Sequence, residues 1–364
     1  MPQLVTERES SPAQALRATP LADTCARPAR SAVTGERSPV EVSVCIVNRD
    51  CRQFLRACLV SLLRQPQGTP FEVIVVDNGS RDGAPDMVER EFPEVRLIRN
   101  KRNLGFSRGN NQAAAVARGR HLFFLNNDTE LAAGTLAELV EFQANHPEAW
   151  LIGPRLRGTD GKEQRGRRRF PTVATFLHRT CLFRWTGLFR RRYQEYCRRS
   201  GEPGFRAAGS PRAGEKVEVL MGAALFARRD RFAQIGGWSE EFFFGGEDLE
   251  LCLRANAAGA VIHVPMIEIL HHGRACTRRF IGQATRHIAA GFVKYLRKKG
   301  TSRLGMLGYK TALTLDTPLQ IGLKTGQLAW QLLRGRWTKA GKCWNDLKGL
   351  LAFSTRGMWE FWRA

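Results

Sequence analysis

Phe71-Glu72-Val73-Ile74-Val75-Val76-Asp77-Asn78-Gly79-Ser80 is an apolar, β-branched run that closes on a polar turn. A run this short, ending in turn formers, reads as a strand buried on both faces. Val42 to Val47 has the same character. Between the two, Phe54, Leu55, Cys58, Leu59, Leu62 and Leu63 recur at helical spacing, with Asp50 placed to cap the helix. Further on, Val95 to Arg99 reads as a third strand, Asn110 to Ala117 as a helix and Leu122 to Leu125 as a fourth strand. Strands alternating with helices imply βαβ units, hence an α/β fold with a mostly parallel central sheet flanked by helices. Ligands of such sheets bind beyond the carboxyl ends of the strands. Asp77-Asn78 and Asn126-Asn127-Asp128 fall at two such ends.

The chain has 364 residues, 43% of them hydrophobic, which is enough for a substantial core. Lys and Arg number 57 against 34 acids, a net charge of +23. That excess implies an anionic partner: nucleic acid, anionic lipid headgroups or a phosphorylated substrate. The nine cysteines include no CxxC pair, which argues against a disulfide framework and for a reducing compartment. The opening residues, MPQLVTERES, lack a signal-peptide core. No apolar run approaches the roughly 18 residues needed to span a membrane.

Residues 1–39 are rich in Ser, Pro, Ala and Arg and read as a disordered tail. Residues 157–216 are basic and irregular, with arginine triplets at 167–169 and 190–192. Val217 to Ala227 returns to strand character, and Asp248 to Ala258 reads as a helix closed by Gly259. From 276 to the end the pattern is helical and basic.

Four polar clusters could carry chemistry. Asp128, ending Phe123-Phe124-Leu125-Asn126-Asn127-Asp128, could bind a divalent ion that neutralises a diphosphate. Taken alone, Asn-Asn-Asp is equally a turn. Glu247-Asp248 starts a helix whose dipole favours ionised acids, as a general base requires; alone, it is an N-terminal cap. His271-His272 could supply a metal ligand or be two ordinary histidines. Asn103-Leu104-Gly105-Phe106-Ser107-Arg108-Gly109-Asn110 links strand to helix; its glycines permit close backbone approach and its amides could bind an anion. No GxGxxG or Walker A sequence is present, which weakens dehydrogenase and P-loop readings.

The order of these clusters is more specific than any one of them. VDNGSRDG, NLGFSRGNN, FFLNNDT, VEVLMGAALFARRDRFAQIGGW, EEFFFGGEDLELCLR and LHHG succeed one another between Val76 and Gly273. The series resembles family 2 glycosyltransferases of the GT-A fold, particularly the rhamnosyltransferase-like branch. The resemblance implies a nucleotide-diphospho-sugar transferase domain over 40–275, with 276–364 a C-terminal helical extension. It implies that Asp77 meets the nucleotide base, with Asn103, Gly105, Asn110, Asn126 and Asp128 on the nucleotide-sugar. Asn126 and Asp128 match the outer positions of the DxD motif. Asp128 and His271 would then hold Mg²⁺ or Mn²⁺, and Asp248 of the ED motif would be the catalytic base. Trp238, Glu240 and Glu247 fall on the acceptor side. Arg168, in the basic stretch before Phe170-Pro171, suits a pyrophosphate-bearing lipid acceptor. Ser239 stands where the branch often has Asp, and Gly245-Gly246 replaces a usual aromatic pair.

The implied activity is inverting transfer of a sugar, rhamnose from dTDP-rhamnose first, from a dTDP-, UDP- or GDP-sugar to a lipid-linked or envelope glycan. Five of the eight tryptophans lie between Trp330 and Trp362, interleaved with Lys and Arg. Such basic amphipathic helices predict peripheral binding to the anionic inner face of the cytoplasmic membrane; the alternative is an ordinary helical appendage packed on the catalytic domain. The rivals are a nucleic-acid-binding protein, favoured by charge alone, a nucleotidyltransferase on a similar sheet, and a non-catalytic glycosyltransferase-like scaffold. No nucleic-acid partner is expected, because that reading leaves the acid motifs unexplained.

Overall fold

The computed structural model describes residues 40–197, 214–273 and 281–364, the side chains of 281–283 excepted. The tail expected over 1–39 lies outside them. The strands are β1 (Val42–Asn48), β2 (Phe71–Asp77), β3 (Arg96–Arg99), β4 (His121–Asn126), β5 (Thr129–Leu131), β6 (Ala149–Arg157), β7 (Arg167–Arg168), β8 (Glu215–Lys216), β9 (Val219–Leu220), β10 (Ala224–Arg228) and β11 (Ala260–His271). The main sheet runs β3-β2-β1-β4-β10-β6-β11-β5, with β8 on β11. Its first four strands are parallel. β10 then enters antiparallel between β4 and β6, and β11 again runs parallel to β6. The sheet is mixed and mostly parallel in its first half.

The expected strand over Val217 to Ala227 is broken at Met221-Gly222-Ala223. β9 turns away to pair with β7, and β10 joins the main sheet. The break places Met221, Gly222 and Ala223 in the wall of a cleft instead of in a ladder. Pro265, which cannot donate to a ladder, lies where β11 shifts register between Val264 and Glu268. Beyond that irregularity β11 continues to His271, which pairs with Thr129 of β5.

Asp50 does not cap the helix Arg52–Leu63, whose N-cap is Cys51 with no side-chain bond. The Asp50 carboxylate accepts from the Arg81 amide at 2.6 Å, and the first helical amide, of Arg52, donates to Asp82 at 2.7 Å. The orphan donor of the helix is therefore met from the β2 loop. Cys51 is disulfide-bonded, while Cys45, Cys58, Cys181, Cys197, Cys252 and Cys343 are free.

The basic, irregular segment contains short helices at Val173–Leu177, Cys181–Thr186 and Arg190–Cys197. After it, Ile281–Lys298, Arg303–Leu333, Trp337–Ala352 and Met358–Arg363 form a helical cluster. Val293, Tyr295 and Leu296 are fully buried in the same apolar cluster as Leu225, Leu249 and Cys252. The Tyr295 hydroxyl donates to the Pro171 carbonyl at 3.1 Å. Burying each large apolar side chain contributes roughly 1.5–3 kcal/mol, so one face of Ile281–Lys298 is firmly seated on the α/β layer.

Candidate active site

A cavity of about 320 Å³ opens beyond the carboxyl ends of β1 and β4. Its walls bring together Asn103, Gly105, Asn126, Asp128, Glu247, Asp248 and His271. These come from separate stretches of chain. β4 delivers Asn126 and the turn after it Asp128, while β5 holds β11 so that His271 lies opposite. The His271 Nε2 stands 3.3 Å from the Asp128 carboxylate, and the His272 amide donates to the Asp128 carbonyl at 2.9 Å.

Gln164 orients this histidine. Its amide oxygen lies 2.7 Å from His271 Nδ1, and its amide nitrogen donates to the His271 carbonyl at 2.6 Å. The two contacts together leave Nδ1 as the donor, so in the neutral imidazole the Nε2 lone pair faces the carboxylate. Two lone-pair-bearing groups face to face suit a cation between them. Among the described residues no cluster of three or more His, Cys, Asp or Glu could hold a metal. One carboxylate and one imidazole nonetheless fit Mg²⁺ or Mn²⁺, ions that are often completed by substrate phosphates and water.

Asp248 and Glu247 occupy the first turn of helix Glu247–Ala258, after Gly246 in the left-handed region. Asp248 accepts from Arg168 Nη2 at 2.9 Å and from the Leu249 amide at 2.9 Å. Arg168 also donates to the Tyr196 hydroxyl at 3.2 Å. Burial opposes the Arg168 charge, but Asp248 outweighs it and the guanidinium is held more firmly protonated than usual. Glu247 differs from its neighbour. Its Oε2 is buried and has no hydrogen-bond partner among the described residues. Burial, and then the charge of Asp248, push its carboxyl up to about 8. One acid is thus paired with an arginine while the adjacent one is kept neutral.

The raised Glu247 carboxyl makes stability depend on pH. The folded state holds its proton more tightly than the unfolded chain does. That contribution is complete below the ordinary carboxyl value of 4.5 and is lost as pH rises through about 8. Glu247→Gln cannot ionise, so its melting temperature should change less than the native one between about pH 5 and 8.5. The difference should be on the order of a few kcal/mol, and parallel thermal melts would show it.

The ends of β1, β2 and β4 are joined by a hydrogen-bonded chain. Asn127 donates to Asn48 at 2.7 Å, Asn48 donates to Asp77 at 3.0 Å, and Asp77 also accepts from the Ser80 amide at 2.8 Å. Asp77 is buried behind the cavity and is not among its lining residues. Gly105 sits at φ +93, and a Cβ there would stand 2.6 Å from the Phe243 carbonyl. The close approach lets the Phe106 amide donate to that carbonyl at 2.9 Å, which ties the loop of Asn103 and Gly105 to the loop carrying Glu247-Asp248.

Asn110, Trp238, Glu240 and Arg168 also stand outside the lining. Asn110 is buried and donates to the Phe106 carbonyl at 3.1 Å. Trp238 packs edge-on against Phe106 and Phe124 beneath the cavity. Glu240 pairs with Arg108 on the surface at 3.1 Å. Arg168 reaches the site only through Asp248. Sequence reading passed over Gln164 and Tyr196, because neither lies in a motif and each acts through a partner far along the chain.

Residues 43–208 match the family model described as glycosyl transferase family 2. The N-acetylglucosaminyl-diphospho-decaprenol L-rhamnosyltransferase of Mycobacterium tuberculosis is 29% identical over 239 residues, 61% of this chain and 72% of that protein. The O-antigen biosynthesis protein RfbC of Myxococcus xanthus is 27% identical over 253 residues, 66% of this chain but 18% of that protein. In fold, the chain is similar to the mannosyltransferase PcManGT from Pyrobaculum calidifontis, solved with GDP-Man and Mn²⁺. The TM-score is 0.50 at 18% identity, over 88% of this chain and 87% of that one. The strand order, the cleft at the strand ends and these matches agree: residues 43–208 form a family 2 glycosyltransferase domain, and the fold is GT-A.

Proposed function

We propose that the protein is a metal-dependent, inverting glycosyltransferase that moves rhamnose from dTDP-rhamnose to a hydroxyl of a lipid-linked envelope glycan. The observation that carries the reading is a cavity in which the Asp128–His271 pair and Asp248 both take part. The names of the relatives support the sugar and the lipid-linked class of acceptor.

In this reading the donor diphosphate lies over the strand ends against Asn126 and Asp128. Asp128 and His271 would hold the divalent ion, which would offset the charge on the departing diphosphate. Asp248 takes the proton of the acceptor hydroxyl as that oxygen attacks the anomeric carbon. The bond from that carbon to the diphosphate breaks, and the electron pair leaves with the nucleoside diphosphate. A single displacement from the opposite face inverts the centre and needs no enzyme nucleophile. Glu247, neutral at pH 7, can donate a hydrogen bond where an ionised neighbour could not.

Gln164→Ala should weaken Mn²⁺ binding roughly 10–100-fold. Calorimetric titration of the ion in the presence of nucleoside diphosphate, with circular dichroism as the fold control, would measure this.

Among the described residues no helix is long and apolar enough to cross a membrane. Exposed Trp330, Trp344 and Trp359 each lie beneath a cation, Arg334 at 4.2 Å, Lys348 at 5.2 Å and Arg363 at 4.0 Å. Cationic, aromatic surfaces of this kind support peripheral attachment to an anionic membrane.

The test is calorimetric titration with dTDP-rhamnose and UDP-, GDP- and CMP-sugars, with and without EDTA. Metal-dependent binding of dTDP-rhamnose alone is expected. Binding of another donor alone would replace the sugar. Binding of none, with tight salt-sensitive binding of nucleic acid, would overturn the enzyme reading.

A further inference from the structure

We infer that the outward face of helix Arg303–Leu333, joined by the knuckle Leu182–Leu188, is a docking face for an anionic phospholipid bilayer. The inference rests on the membrane-surface reading above and locates the contact, partly outside the tryptophan-rich end of the chain.

At 3.6 residues per turn, Leu304, Leu315, Leu319, Leu323, Trp330 and Leu333 fall within an arc of roughly 100° on that helix. All six are exposed, Leu304 by 81%, Leu315 by 72% and Leu333 by 82%. From Leu304 to Leu333 the stripe runs about 44 Å, at about 1.5 Å per residue. The charged residues within that span are Lys310, Asp316 and Lys324. The first two are buried, and Lys324 turns aside to pair with Asp346 at 2.8 Å. Monomeric proteins rarely expose an apolar face of this extent without a partner.

The knuckle extends this face from elsewhere in the chain. Asp316 accepts from the Cys181 amide at 2.8 Å and so fastens the short helix Cys181–Thr186 beside the stripe. Leu182, Trp185 and Leu188 point outward, and Trp185 is 91% exposed. His178 Nδ1 lies 2.8 Å from the Leu188 carbonyl and holds the turn from behind.

Charge selects the occupant. Between Val173 and Arg192 the sequence has no acid at all, and between Lys299 and Asn345 it has only the buried Asp316. Arg179, Arg184, Arg190, Arg191 and Arg192 on the knuckle side are exposed, as are Arg303, Arg334 and Arg336 at the helix ends. An apolar stripe with a cationic rim complements an anionic headgroup layer over an acyl interior. A second copy of this chain would instead bring two cationic rims together.

The face also leads to the catalytic cleft. The knuckle runs directly into helix Arg190–Cys197, whose Tyr196 hydroxyl accepts from Arg168, the partner of Asp248. A bilayer docked here lies against the segment that reaches the acceptor side, where a lipid-borne acceptor would arrive.

The test uses the full chain and vesicles of phosphatidylglycerol and phosphatidylethanolamine, with phosphatidylcholine vesicles as the neutral control. Flotation of the native protein, Leu315→Glu/Leu333→Glu and Trp185→Glu is compared, alongside sedimentation velocity. Each variant should lose roughly tenfold or more in partition to anionic vesicles, with transfer onto a short-chain, water-soluble acceptor unchanged. Undiminished flotation of both variants, or a native chain that ignores anionic vesicles, overturns the proposal. So does a native dimer that the variants convert to monomer without loss of flotation. If the variants lose flotation but the native chain transfers no sugar from any donor, the docking face stands and the transferase reading falls.

Discussion

Asp248→Asn is expected to lower sugar transfer by about 10²–10⁴-fold, the usual worth of a positioned base, while donor affinity stays within about twofold. The substitution keeps size and shape, and the Leu249 amide still finds an oxygen to donate to. In the proposed mechanism it removes the site that receives the acceptor proton. It also removes the charge that pairs with Arg168 at 2.9 Å, leaving the guanidinium, among the described residues, its bond to Tyr196. The proposed donor contacts, Asn126 and Asp128, line the same cavity and are not altered by the substitution. Calorimetry with the donor and single-turnover transfer, run side by side, separate the two effects. Normal turnover in the variant would mean that another group takes the proton.

Gly291→Ala should be nearly as damaging, although Gly291 touches no substrate in the proposed mechanism. It faces the turn that precedes the catalytic acids, and a Cβ there would stand 1.8 Å from the Gly245 carbonyl. Gly245 and Gly246 are themselves at φ +91 and +93, and a Cβ on Gly245 would meet Ile288 at 2.6 Å. The turn and helix Ile281–Lys298 therefore touch backbone to backbone, and an added methyl must drive them apart. The turn leads straight into Glu247-Asp248, so the base moves with it. A displacement of about 1 Å costs roughly 10²-fold in rate, and overpacking of this kind costs about 1–3 kcal/mol in stability. Thermal melts and transfer rates on the same preparation would test both. A folded variant of native activity would show that the turn does not position the base. The same contact accounts for Gly245-Gly246: the helix fills the space that larger side chains would need.

The parallel half-sheet and the polar clusters at its strand ends are legible in the sequence alone. Burial on both faces imposes unbroken β-branched runs such as Val73 to Val76, and turn chemistry imposes the polar residues that end them. Both are local demands, visible within a few residues. The order of the clusters was enough to reach the family, and the cavity does gather Asp128, Asp248 and His271. Contacts between distant segments were not legible in this way. The amide of Gln164 meets His271 across 107 residues of chain, and Arg168 meets Asp248 across 80. The close fit of Gly291 against Gly245 is likewise set by how a later helix packs. Asp50 has the residue type and position of a cap, yet its carboxylate is drawn to Arg81 by the neighbouring loop. Trp238, which reads as an acceptor residue, lies in the core because Phe106 and Phe124 close around it. Local pattern records what each segment must hide from water. Which groups then meet depends on the crossovers and the register that join the segments, and these exist only once the sheet has formed.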